Sequence, residues 1–169
     1  GRNMSNKKEI VRMDPNLPAS VRLLTRKSFR NCESHWHRSL EINFFLEGEM
    51  NIYVNGVKNL CMPGSVCLIN SEEVHSFEVR KDFEIKDKKV VMLILLIGYD
   101  FIQSLFPQIE ETFFQVPDME TEIRLKNLLL RLLREREDES FEFNNIRMLH
   151  TVCEILLLLC QNCRMNKEI

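Results

Sequence analysis

The sequence predicts a mainly β fold with α-helical structure at its C-terminal end, and three observations predict it. Turn signals recur at short intervals through the first two thirds of the chain, at Gly48, Asn55-Gly56 and Pro63-Gly64. Val90–Ile97 is an unbroken apolar run that does not alternate, as in a strand covered on both faces. Beyond Pro117 the apolar spacing changes to three and four residues, the period of a helix. Short strands with frequent turns pack as a sandwich or barrel.

Taken in order, residues 4–20 are polar, Pro-punctuated and without period, and are expected to form an N-terminal arm. Strands are expected over 21–29 and 41–46, and then over Met50–Val54 after Glu47-Gly48-Glu49, which reads as a hairpin turn between the last two. Asn55-Gly56 tolerates positive φ and marks a tight turn, and Pro63-Gly64 marks another before Val66–Ile69. Strands over 74–79 and Val90–Ile97 complete the set, the last covered on both faces because it does not alternate. Asp118 is placed to cap a helix over 120–137, with Leu125, Leu128, Leu129 and Leu132 on one stripe. A second helix is expected over 143–164. The chain thus divides into a β region, 4–117, and a helical hairpin, 118–169.

Composition removes several classes of function. With 23 Lys+Arg against 25 Asp+Glu the formal net charge is -2, which leaves no electrostatic footprint for nucleic acid or an anionic membrane surface. No apolar run is long enough to span a bilayer, and no secretory signal segment is readable, so a cytoplasmic location is expected. The 6 Cys are scattered rather than arranged as a disulfide framework. Cys160 and Cys163 share a helix face, a spacing met more often in a core than in a thiol sensor.

Of the 4 His, three carry a pattern. His35, His37 and Glu41 are two and four residues apart, so in one extended strand all three side chains point to the same side. His75, on a later strand, supplies a third imidazole. Three nitrogens and one carboxylate oxygen suit one borderline divalent metal, Zn, Ni, Mn or Fe. By the same parity Asn43 and Phe45 share the face of Glu41, so His35, His37, Glu41, Asn43, Phe45 and His75 are the candidate ligand-binding set. Trp36 has the opposite parity.

His35-x-His37-x3-Glu41-x6-Gly48 resembles the first cupin motif, and Gly64-x5-Asn70-x-Glu72-x2-His75 is similar to the second. Phe29 stands where a Gly usually precedes the first motif, and Asn70 and Glu72 stand where Pro and Gly are common in the second. The resemblance implies a double-stranded β-helix, or jelly-roll, barrel with these residues facing its cavity. A narrower resemblance covers nearly the whole chain. His35 to Gly48 and Leu68 to Phe77 look like the N-terminal effector domain of AraC/XylS-type transcriptional regulators. That family implies a small-molecule effector, such as a sugar or a small acid, in the barrel. It also implies a helical hairpin that forms a homodimer, and promoter DNA bound by a following pair of helix-turn-helix motifs. No recognition helix is readable up to Ile169, so DNA contact is expected only through a segment not in this chain.

The second helix is apolar nearly all round, which calls for burial on several sides. Leu149, Val152, Cys153, Leu156, Leu157 and Cys160 are the expected dimer contacts. The competing reading is a metal-dependent cupin enzyme, a dioxygenase or isomerase. It accounts for the histidines but not for the hairpin, and no nucleophile stands beside a base.

Overall fold

The computed structural model describes residues 7–8, 18–80 and 89–167. Its strands are β1 (Lys7–Lys8), β2 (Ala19–Thr25), β3 (Cys32–Trp36), β4 (Leu40–Phe45), β5 (Met50–Val54), β6 (Val57–Cys61), β7 (Val66–Ile69), β8 (His75–Val79) and β9 (Val90–Ile97). Helix α1 (Tyr99–Leu105), strand β10 (Thr112–Phe114), helices α2 (Met119–Glu137) and α3 (Asn144–Asn162) and strand β11 (Arg164–Asn166) follow. Most of the arm expected over 4–20 lies outside the described residues. The described residues fall into two compact units, one holding 7–8, 22–80 and 89–94, the other 18–21 and 95–167.

Strands β2 to β9 are dealt between two sheets, β2-β9-β4-β7 and β3-β8-β5-β6, with β1 added in parallel outside β3. This alternation is the strand order of a jelly roll. The fold is therefore mainly β with C-terminal helices, as the sequence predicts. Asn55 (φ 48°) and Gly56 (φ 80°) make the tight β5–β6 hairpin, and Gly64 (φ 93°) supports the turn into β7. The interior of the first unit is an apolar cluster built from Phe29, Phe45, Met50, Ile52, Cys61, Cys67, Ile69, Val91 and Met92.

Two local expectations are corrected. Residues 47–49 do not close a hairpin: β4 and β5 lie in different sheets, so the segment crosses from one sheet to the other. Gly48 is needed there for closeness, since a Cβ on it would stand 2.6 Å from Phe29 Cζ and overlap the Val91 side chain. Residues 35–41 are not one strand either. The chain leaves β3 after Trp36 and re-enters the other sheet at Leu40. The expected strand over 21–29 also ends early, at Thr25, in a 3-10 turn over Arg26–Ser28.

In the second unit Asp118 caps α2, its carboxylate accepting from the Thr121 N–H at 2.8 Å. Leu125, Leu129 and Leu132 of α2 and Val152, Ile155 and Leu159 of α3 are buried. A polar lock joins the two helices at their turn: Asn144 Nδ2 donates to the Glu135 carbonyl at 2.7 Å, and Thr151 Oγ1 donates to the buried Glu135 carboxylate. α3 stops at Asn162, short of the expected 164, because Arg164–Asn166 pair instead with Thr112–Phe114 as an antiparallel ladder. Among the described residues no helix is long and apolar enough to cross a membrane.

Candidate functional site

His35 and His75 are directly opposed across the antiparallel β3–β8 pair, which brings their ring centroids to 4.2 Å. His37 follows β3 immediately, and its main-chain carbonyl accepts from the Glu72 N–H at 2.8 Å. That bond ties the turn before β8 to the end of β3. One nitrogen from each of the three rings lies within 4.8 Å of the others. Glu41 enters from β4, in the other sheet, and its Oε1 stands 3.0 Å from His37 Nε2 and 3.7 Å from His75 Nε2. His37, Glu41, Asn43 and His75 are all buried. The sequence-predicted residues therefore converge, but by the meeting of two sheets rather than by alternation along one strand.

Main-chain carbonyls fix the protonation pattern. Each imidazole donates Nδ1–H to a carbonyl: His35 to Glu33 at 2.8 Å, His37 to Ser39 at 3.0 Å, His75 to Glu73 at 2.9 Å. A carbonyl only accepts, so the Nδ1 atoms carry the protons and, in a neutral ring, the lone pair sits on Nε2. Asn43 is oriented in the same way: its Nδ2 donates to Glu41 Oε2 at 2.9 Å, which leaves Oδ1 as an acceptor. Asn43 Oδ1 and His75 Nε2 have no hydrogen-bond partner among the described residues.

Burial pushes the Glu41 carboxyl up. The His37 hydrogen bond, the nearness of His75 and the Asn43 amide outweigh that, so it stays below the usual carboxylate range. Burial, in contrast, holds the His75 imidazole below its ordinary value and favours the neutral ring. The result is an anionic carboxylate facing the neutral ring of His75. Without a shared proton or a cation, His37 Nε2 and Glu41 Oε1 at 3.0 Å set two acceptors against each other. Nδ1 bonds to second partners with Nε2 turned inward are also the arrangement that orients metal-ligating imidazoles. The three imidazoles, with Glu41 beside His37 and His75, are donors of the kind that a divalent cation takes.

Phe45 is fully buried in the apolar cluster, beyond the polar end of β4. Trp36 is half-buried. The residues that sequence reading did not single out are Glu33, Ser39 and Glu73, which act through main-chain carbonyls and so leave no side-chain signal. On α3 the expected contact set divides: Val152 and Leu156 are buried within the chain, Leu149, Cys153 and Cys160 are half-buried, and Leu157 is 55% exposed.

The family model for the AraC-like ligand binding domain matches residues 17–146. The chain belongs to this family. None of the curated proteins matches it in sequence. Among solved structures, an RmlC-like cupin from Shewanella frigidimarina is 22% identical over 42% of this chain and 60% of its own, with a TM-score of 0.31. A predicted oxalate decarboxylase from Thermotoga maritima is 26% identical over 40% of this chain and 55% of its own, with a TM-score of 0.31. A cupin protein from Bacteroides fragilis is 18% identical over 47% of this chain and 64% of its own, with a TM-score of 0.37. The chain thus spans less than two thirds of the length of each of these structures. As an AraC-like ligand binding domain, it has its imidazole and carboxylate cluster where the two jelly-roll sheets meet.

Proposed function

We propose that this chain is the effector-sensing and dimerisation domain of a cytoplasmic transcriptional regulator. The region over 4–117 holds the effector. The hairpin over 118–169 pairs two copies, and promoter DNA is bound through a helix-turn-helix segment outside these residues. The observation that carries the reading is the meeting of half-buried His35 with buried His37 and His75, Glu41 and Asn43 lying beside them, in a member of a ligand-binding family. A divalent metal on those four residues would supply a Lewis-acidic centre to which an oxygen-bearing small molecule, a sugar or a small acid, can bind. Asn43 orients Glu41, and the Glu33, Ser39 and Glu73 carbonyls hold the rings. Binding shifts the regulator between states only as far as the effector prefers one of them.

The test is elemental analysis of the purified chain combined with thermal shift against Zn, Ni, Mn and Fe and a panel of sugars and small acids. A metal at about 100 times its Kd stabilises the fold by about 2.7 kcal/mol. His37→Ala is expected to abolish that gain. No metal at stoichiometry and no shift with any of the panel would refute the reading. The histidine cluster also favours a metal-dependent cupin enzyme, a dioxygenase or isomerase. Turnover by the metal-loaded chain would decide for it.

A further inference from the structure

We infer that Asn55 is a positioning residue of the imidazole site, clasping residues 73 and 74 with its side-chain amide and so aiming the ring of His75. Val54 pairs with His75 across the β5–β8 ladder, which sets the next residue, Asn55, beside Val74. The ladder continues there in altered form. Asn55 N–H donates to the Val74 carbonyl at 2.8 Å, but the Val74 N–H donates to the side-chain Oδ1 of Asn55, at 3.1 Å, in place of a main-chain carbonyl. The other end of the amide, Nδ2, donates to Glu73 Oε2 at 3.1 Å. Glu73 Oε1 accepts from the Asn70 N–H at 2.7 Å, so both carboxylate oxygens are held. The Glu73 carbonyl, fixed in this way, receives Nδ1–H of His75 at 2.9 Å.

A tight turn does not by itself ask for an amide. Asn55 and Gly56 have φ of 48° and 80°, and Gly, Asn or Asp serves at such positions. Only an amide accepts from the Val74 N–H at one end while donating to a carboxylate at the other. Glycine would leave both of those groups without this partner. Aspartate would set a second carboxylate against Glu73. The effect reaches His75 through one carbonyl. A ring fixed at Nδ1 has a fixed direction for Nε2, the nitrogen that stands 3.7 Å from Glu41 Oε1. Outer hydrogen bonds of this kind orient metal-ligating imidazoles. Asn55, Asn70, Glu73, Val74 and His75 all lie within one compact unit. The inference rests on the reading of the imidazoles as the ligand site, but the aim of His75 is measured without any ligand.

The experiment compares wild type with Asn55→Gly, Asn55→Asp, and Asn55→Asp combined with Glu73→Gln. Zinc affinity is measured by competition with a chromophoric chelator. In the metal-free chain, the proton–nitrogen correlation spectrum of the imidazoles reads which nitrogen of the neutral His75 ring holds the proton. Wild type is expected to hold it on Nδ1. Asn55→Gly, which keeps the turn, and Asn55→Asp are expected to move His75 away from that state and to weaken zinc about tenfold, the lower end for loss of an outer hydrogen bond. Adding Glu73→Gln to Asn55→Asp gives the new carboxylate an amide to accept from, and is expected to return both readouts toward wild type. The inference is overturned if His75 in both single variants matches wild type, whatever the zinc affinity, or if the double variant is no closer to wild type than Asn55→Asp. A wild-type chain that takes up no zinc would refute the metal reading alone, and the His75 spectrum would still decide the role of Asn55.

Discussion

At the scale of single residues, two backbone positions govern how the site is built. Gly48 carries the chain from one sheet to the other against Phe29 and Val91, where a methyl group has no room. Gly48→Ala is expected to destabilise the domain by about 1–3 kcal/mol, the usual cost of overpacking. Chemical denaturation measures it, and an unchanged midpoint would show that Phe29 and Val91 yield freely. Glu72 has φ 68°, in the left-handed region, at the position where the second cupin motif commonly carries glycine. A non-glycine residue there costs about 1–2 kcal/mol. The side chain returns little, since its pair with Arg38 is long, at 3.6 Å, and exposed. Glu72→Gly is therefore expected to leave the melting temperature unchanged or raised, and Glu72→Val to lower it. Because the Glu72 N–H holds the His37 carbonyl, the same pair of variants tests whether this turn sets the imidazole cluster. Metal or ligand affinity should follow backbone strain rather than the charge at 72.

At the scale of elements, what was legible in the sequence is what is decided locally. The α2 boundaries follow from Asp118 and the leucine spacing, and the observed cap confirms the cause. The Thr121 N–H bonded to Asp118 holds that carboxyl below its ordinary value. A group whose folded pKa is depressed stabilises above its unfolded pKa and loses that contribution as pH falls through the folded one. Asp118→Ala is thus expected to lower the melting temperature at neutral pH, and the gap to wild type should narrow on acidification. A gap independent of pH would mean the carboxylate does not act as the cap. The continuous apolar run of β9 was equally legible, since a strand covered on both faces has no polar alternation. Elements decided by distant partners were not. β10 and β11 are three residues each and exist only through each other, and that pairing is what ends α3 before Arg164. The hairpin expected around Gly48 failed for the same reason. Glycine reports a tight passage equally well at a turn and at a crossover between sheets. The site residues were identifiable by type, but their convergence depends on β3 and β8 being neighbours, a fact of topology that spacing along 35–41 does not contain.

At the scale of the whole molecule, the reading requires two copies, and α3 provides a way to separate fold from assembly. Leu156 is 6% exposed and Leu157 is 55% exposed, on adjacent positions of one helix. Leu157 borders an open groove of about 450 Å³ together with Arg124, Asn127, Leu128, Glu154, Leu158 and Gln161. Ile123 of α2 is a further apolar side chain left in water, at 52% exposure. Leaving such residues solvated forgoes roughly 25 cal/mol for each Å² of apolar surface, a cost that a second copy of the same surface removes for both partners. Leu156→Ala is expected to cost about 2–5 kcal/mol of stability, as truncation of a buried leucine does, while leaving association largely intact. Leu157→Glu should do the reverse, holding the melting temperature of the isolated chain but placing a charge in the interface. Sedimentation of wild type is expected to give twice the chain mass, and Leu157→Glu to give the single mass across the same concentrations. A wild-type chain that sediments as a monomer at all concentrations would remove the dimer from the proposal. The imidazole cluster would stand unchanged, because all of its residues lie within one unit of one chain.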